Sequence, residues 1–172
     1  KIVKKFFFNS LFLLLLTGCF ATTYEVKSSF DIKAASYVNQ KGNSLITGQA
    51  FLNQKGGGVV TCAGKNVSLT PVTEFASERM MILYKNLERG YLNYTAASMI
   101  KISPEAPSEY YSTTRQARCD AQGNFKFKNL PAGKEFYITT TVMWGVDYIP
   151  EGGYLMLKVK TKPNETIEVI LN

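Results

Sequence analysis

The sequence predicts a mostly β domain, a sandwich of about seven short strands that carries a helix-containing insertion. Runs of alternating, β-branched and aromatic residues recur along the chain. Glycine, at 13 residues, punctuates them, and aromatics reach 13% with ten tyrosines, a composition that favours strands and turns. Hydrophobic residues at 45% against 19% charged describe a chain that can bury a core. The length of 172 residues suits a single domain.

The first strand is expected in residues 45–52, Leu45-Ile46-Thr47-Gly48-Gln49-Ala50-Phe51-Leu52. A glycine-rich turn at Gly56, Gly57 and Gly58 leads into Val59-Val60-Thr61-Cys62. Residues 65–70 alternate polar and apolar as a half-buried strand does, and Pro71 ends the run. From 73 to 90, Ala76, Met80, Leu83, Tyr84 and Leu87 repeat at helical spacing, which predicts a short amphipathic helix. Residues 91–116 are polar, contain Pro104 and Pro107, and read as an excursion between strands, so the insertion is placed at 72–116.

Strand character returns at 125–128 and again at 135–142, with a turn at Asn129-Leu130-Pro131-Ala132-Gly133 between them. Residues 144–153, with Gly145, Pro150, Gly152 and Gly153, read as a loop. Two strands, 154–160 and 166–171, close the chain. Ahead of the domain at 44–172, residues 19–43 read as a tether and lead-in segment, with Thr22-Thr23-Tyr24-Glu25-Val26 as a polar spacer.

The first eighteen residues are of a different kind. Lys1, Lys4 and Lys5 precede an apolar run, Phe6-Phe7-Phe8 to Leu13-Leu14-Leu15-Leu16, the pattern of an export signal. The run is shorter than the roughly 20 apolar residues needed to span a bilayer. It ends in Leu16-Thr17-Gly18-Cys19, which closely resembles the lipobox of bacterial lipoproteins. That resemblance implies cleavage before Cys19, acylation of its thiol, and attachment to the cell envelope by two or three acyl chains. Phe20 and Ala21 follow the cysteine with no aspartate beside it, which by resemblance to enterobacterial sorting favours the outer membrane over the inner.

A second resemblance names a fold. Asp120-Ala121-Gln122-Gly123-Asn124-Phe125-Lys126-Phe127-Lys128-Asn129-Leu130-Pro131-Ala132-Gly133 resembles the signature of carboxypeptidase regulatory-like domains. These belong with the transthyretin-like (prealbumin-like) Greek-key β-sandwiches. Asp120 and Gly123 suit a tight turn, Phe125 and Phe127 the core, and Lys126 and Lys128 the solvent. Residues 46–51 and 63–69 resemble the earlier strands of that family less specifically. The resemblance implies an accessory module and no chemistry. Transthyretin-like hydrolases of purine breakdown products use histidines, and this chain has none.

With Cys19 acylated, Cys62 and Cys119 remain, and export to a non-reducing compartment favours a disulfide between them. The absence of histidine removes imidazole bases, Ser-His and Cys-His nucleophile pairs and His-ligated metals. The carboxylates have no paired spacing, so no catalytic residue, metal site or cofactor is expected. With the three leader lysines set aside, the net charge falls from +7 to +4, and the remaining bases are scattered. That distribution argues against nucleic acid. Tyr84, Tyr91, Tyr94, Tyr110 and Tyr111 crowd the insertion; such rings either pack it onto the sandwich or form a contact surface. Two roles are expected: a non-enzymatic envelope lipoprotein that binds or braces another envelope component, and a carbohydrate- or peptidoglycan-binding module using the tyrosines.

Overall fold

The computed structural model describes residues 21–146 and 148–172. The chain opens with β1 (Thr22–Glu25), α1 (Ile32–Ala35) and a 3-10 turn (Ser36–Asn39), followed by β2 (Ser44–Asn53), β3 (Val59–Thr61) and β4 (Asn66–Pro71). Next come α2 (Glu74–Tyr84), β5 (Arg89–Asn93), α3 (Tyr94–Ser98), β6 (Ile100–Ser103), α4 (Ser108–Ser112) and β7 (Arg115–Arg118). The chain ends with β8 (Asn124–Leu130), β9 (Glu135–Val146), β10 (Ile149–Lys160) and β11 (Thr166–Leu171).

Two sheets enclose the main core. One has the order β5-β10-β9-β4-β7. The other is built on β2, which pairs in parallel with β11 and antiparallel with β8 and then β3. Alternation decides which side chains meet. Ile46 and Ala50 of β2, Phe125 and Phe127 of β8, Phe136, Ile138 and Val142 of β9 and Leu155 of β10 are all buried in one cluster. Each large apolar side chain so buried contributes about 1.5–3 kcal/mol. Gly48 shares the inward face of β2, and there the Phe125 and Val169 side chains close over it. A Cβ would lie 2.4 Å from the Phe125 ring.

The turn into β8 forms as its residues require. The Asp120 carboxylate accepts from the backbone N–H of Gln122 (2.9 Å) and Asn124 (2.7 Å), and Gly123 takes φ +82. Phe125 and Phe127 then point inward while Lys126 and Lys128 stay exposed. Cys62 and Cys119 form a disulfide between the β3–β4 and β7–β8 connections, the places where the chain crosses from one sheet to the other. Lys65 and Cys119 brace the same point through a backbone hydrogen bond of 2.9 Å.

Eleven strands among the described residues replace the seven expected, and three segments account for most of the difference. The insertion is no excursion: it supplies β5 and β7, the two edge strands of the five-stranded sheet. Its helix covers that sheet's outer face, where Phe75, Ala76 and Met80 bury against Tyr137 and Met156. The helix begins at the cap supplied by Thr73 and stops at Lys85, which takes φ 56, earlier than the periodicity implied. Of the expected loop at 144–153, residues 144–146 and 149–153 are strand. They are the distal part of a β9–β10 hairpin in register from Val146↔Ile149 to Glu135↔Lys160. The expected spacer is β1, which pairs in parallel with β6. Val26 continues from it into the core beneath α2, and Val38 reaches the core between the sheets. The Tyr37 hydroxyl, held neutral because burial pushes its pKa up to about 12, donates to the Glu135 carbonyl.

Two substitutions test this packing. Replacing both Cys62 and Cys119 with alanine is expected to lower the free energy of unfolding by about 4 kcal/mol in urea titration, from loop-closure entropy. Gly48→Ala is expected to cost about 1–3 kcal/mol, because the core has no room for the methyl group.

Candidate functional site

The outer face of the five-stranded sheet is only half covered by α2. On the uncovered half, alternation brings Asn66 and Ser68 of β4, Thr139 and Thr141 of β9 and Tyr154 of β10 to the surface. Ser68 stands opposite Thr139 and Thr141 opposite Tyr154. The inward neighbours Val67, Leu69, Ile138 and Leu155 hold these strands in the core and fix the directions of the outward side chains. The last turns of α2 form the second wall, with Met80, Leu83 and Tyr84. The result is a groove of about 340 Å³ with an aromatic and aliphatic wall on one side and a floor of hydroxyl and amide groups.

The groove is set by identifiable contacts. Ser77 of α2 lies 3.0 Å from the Tyr137 hydroxyl and keys the helix to the sheet. The Tyr84 side chain lies across Gly90, where a Cβ would come within 2.4 Å of it. At the far side the Gln116 amide and the Ser68 hydroxyl are 3.0 Å apart. Burial, reinforced by Tyr110 and Tyr154, pushes the Tyr84 phenol well above its ordinary range, so it remains a neutral hydroxyl at all physiological pH. No carboxylate lines the groove. Lys65 is the one charged residue on its border, and the rest of its lining suits a polar ligand with apolar faces: rings to stack on, and donors and acceptors along the floor.

The structure separates the five tyrosines that crowd together in sequence. Tyr84 lines the groove, whereas Tyr110 is buried beneath α2, edge-on to Phe75 at 5.5 Å and to Phe30 at 5.7 Å. Arg79 lies over the same Phe75 and Tyr110 rings. Tyr91 donates to the Gly152 carbonyl at 3.1 Å on the other face of the sheet. Tyr94 and Tyr111 are exposed away from the groove. Tyr154 was not among the candidates. The signal for it was present, since the apolar alternation Leu155, Leu157 and Val159 puts Tyr154 on the opposite face from the core. Cys19 lies outside the described residues. Cys62 and Cys119 are bonded and buried, and their role is structural.

Two other depressions are less suited to a ligand. The outer face of the second sheet, with Thr47, Gln49, Lys126, Glu168 and Ile170, is larger at about 560 Å³, but its one aromatic, Phe125, is turned into the core. A cleft of about 520 Å³ bordered by Lys27, Ser28, Met81 and Leu87 has no aromatic residue in its lining, and its wall is held by a clasp. There the Glu78 carboxylate accepts from the N–H groups of Lys27 and Ser28, both at 2.9 Å, and from the Ser28 hydroxyl at 2.6 Å. Among the described residues no group of three or more His, Cys, Asp or Glu side chains is placed to hold a metal ion. No helix of these residues is long and apolar enough to cross a membrane.

No family pattern and no curated sequence matches the chain. Among solved structures it is similar to a Pseudomonas aeruginosa protein described as a candidate carbohydrate-binding protein, with a TM-score of 0.65 and 22% sequence identity. The similarity covers 84% of this chain and 97% of that one. At this identity the two share a fold.

The clasp gives a pH-dependent prediction. Hydrogen bonds from Ser28 and Lys27 lower the Glu78 pKa below its ordinary value, so its contribution is present above the unfolded carboxylate range and lost as pH falls through the lowered folded value. Hydrogen-exchange protection of the Lys27 and Ser28 amides is expected to fall with acidification below about pH 4. Glu78→Ala should remove that protection at neutral pH while leaving the β9 amides protected.

Proposed function

We propose that this chain is a lipid-anchored, non-enzymatic protein of the bacterial cell envelope whose sandwich binds carbohydrate in the groove beside α2. Of the two roles expected from the sequence, bracing an envelope protein and binding a glycan, the groove favours the second. The observation that carries this reading is the placement of Tyr84 and Tyr154 beside the hydroxyl and amide groups of Asn66, Ser68, Thr139 and Thr141. Sugar rings offer weakly polar C–H faces and a rim of hydroxyls, and such a groove meets both. The lack of a carboxylate on its walls fits retention of a glycan and offers no acid and base to cleave one. The similar Pseudomonas aeruginosa fold, described as a candidate carbohydrate-binding protein, supports the same reading.

The anchor rests on the leader and on the resemblance of Leu16-Thr17-Gly18-Cys19 to a lipobox, which supports attachment to the envelope, and the residues that follow the cysteine favour the outer membrane over the inner. The turn held by Asp120 and Gly123, with Phe125 and Phe127 buried after it, supports grouping the domain with the carboxypeptidase regulatory-like, transthyretin-like sandwiches.

The test is a glycan array and a peptidoglycan pull-down, followed by calorimetric titration of the best ligand. Tyr154→Ala is expected to weaken binding at least tenfold, about 1.4 kcal/mol, while Tyr111→Ala leaves it unchanged. Failure of the unsubstituted chain to bind any glycan or isolated sacculus overturns the carbohydrate reading.

A further inference from the structure

The register of the five-stranded sheet lines up one row of outward side chains across four strands. Tyr154 of β10 stands opposite Thr141 of β9. Thr140 pairs with Val67, which sets Thr141 beside Asn66 of β4, and Asn66 in turn stands opposite Arg118 of β7. Residues directly opposite one another share a face of the sheet, and Ala117, next to Arg118, packs against the core. Arg118 therefore points outward on the groove side, one strand beyond Asn66. The row runs from a phenol ring through a hydroxyl and an amide to a guanidinium. At about 4.8 Å per strand it covers about 14 Å, more than one sugar ring fills.

The cationic end has a second member. Lys65 lines the same groove and directly precedes Asn66. Arg118 leans back over the turn that carries Lys65: its Nη2 atom would lie 3.9 Å from a Cβ at Gly64. The backbone holds the two segments together. The Gly64 N–H donates to the Cys119 carbonyl at 3.1 Å, and the Cys119 N–H to the Lys65 carbonyl at 2.9 Å, beside the Cys62–Cys119 disulfide. Both backbone positions are thus set before a ligand arrives, which lowers the ordering cost of binding.

Neither cation has a protein counter-ion. The ion pairs among the described residues belong to Lys158 and Lys162. Asp120 borders a neighbouring depression with Arg118, but its carboxylate is taken up by the Gln122 and Asn124 N–H groups and the Asn124 side-chain amide. Scattered surface lysines are satisfied by water alone. Here two cations close one end of a row that begins with an aromatic ring and holds only neutral groups between, so the surface has a direction.

We infer that the glycan this groove takes is acidic: its anionic group, a carboxylate or a sulfate, sits between Lys65 and Arg118, and its rings run across the strands toward Tyr154. The inference rests on the carbohydrate reading and names the class of sugar. Arg118 offers a planar fork of donors that suits two oxygens of such a group, and Lys65 adds a compact charge. The same arrangement orients the sugar chain, because its charged end and its stacking end meet different partners.

The full chain is titrated calorimetrically with oligogalacturonate and chondroitin sulfate oligosaccharides, with their carboxyl-reduced and desulfated forms, and with neutral cello-, malto- and chito-oligosaccharides. At least one acidic oligosaccharide is expected to bind about tenfold more tightly than its neutralised form, with an affinity that falls as sodium chloride is raised. Loss of affinity on carboxyl reduction identifies a carboxylate as the group held, and loss on desulfation a sulfate. Lys65→Gln and Arg118→Gln remove the charge and keep a hydrogen-bonding amide. Each should weaken the acidic ligand about fivefold to tenfold and leave its neutralised form unchanged. Lys55→Gln, on the exposed turn between β2 and β3, should change neither. If no oligosaccharide and no isolated sacculus binds, the carbohydrate reading and this inference fall together. If glycans bind with no preference for charge, or with a preference that survives both glutamine substitutions, this inference falls alone.

Discussion

Everything beyond the bare sandwich returns to one covalent constraint, the Cys62–Cys119 disulfide at the place where the chain crosses between its sheets. One crossing leads from β3 into β4, the other from β7 into β8, and the bond holds the two side by side. The 57-residue separation it spans contains β4, α2, β5, α3, β6, α4 and β7. A long segment that leaves a sheet and must come back to the same edge costs loop entropy, and the cross-link lowers that cost by limiting the unfolded chain. With the base of the segment closed, its strands can take both edges of the five-stranded sheet and its helix can lie on the outer face.

The groove is a by-product of that arrangement. Had α2 covered the sheet completely, Ser68, Thr139, Thr141 and Tyr154 would be core positions and would have to be apolar. The helix instead ends at Tyr84, where Lys85 turns the chain by adopting a left-handed backbone, and half of the outer face stays polar and open. Three elements from distant parts of the sequence thus share one surface, each held from behind by the buried neighbours on its own strand.

What was legible in the sequence was local. The Asp120–Gly123 turn, the inward Phe125 and Phe127, the stop at Pro71 and the buried Ala76 and Met80 follow from short-range chemistry, and all are found in place. The segments that misled depend on partners far away. The run Thr22-Thr23-Tyr24-Glu25 is a strand because Ile100–Ser103 lies beside it, and nothing in its own composition says so. β5 and β7 are short, polar edge strands with one neighbour each. In residues 144–153, Gly145, Pro150, Gly152 and Gly153 carry the marks of a loop, yet a projecting hairpin tolerates them. Gly153 in fact needs its missing side chain, because a Cβ would lie 2.2 Å from the Leu92 carbonyl oxygen. Tyrosine density likewise pointed to the insertion, and burial divided that cluster between core and surface.

The parallel pairing of β11 with β2 has a consequence in time. Thr166 is in register with Leu45, and Leu171 with Ala50, so a strand synthesised long after β2 completes the sheet that β2 begins. Until those residues arrive, β2 has an open edge and the inner faces of Ile46 and Ala50 lack part of their cover. Contacts so distant in sequence form slowly. The nascent chain therefore cannot lock its second sheet until β11 has been made.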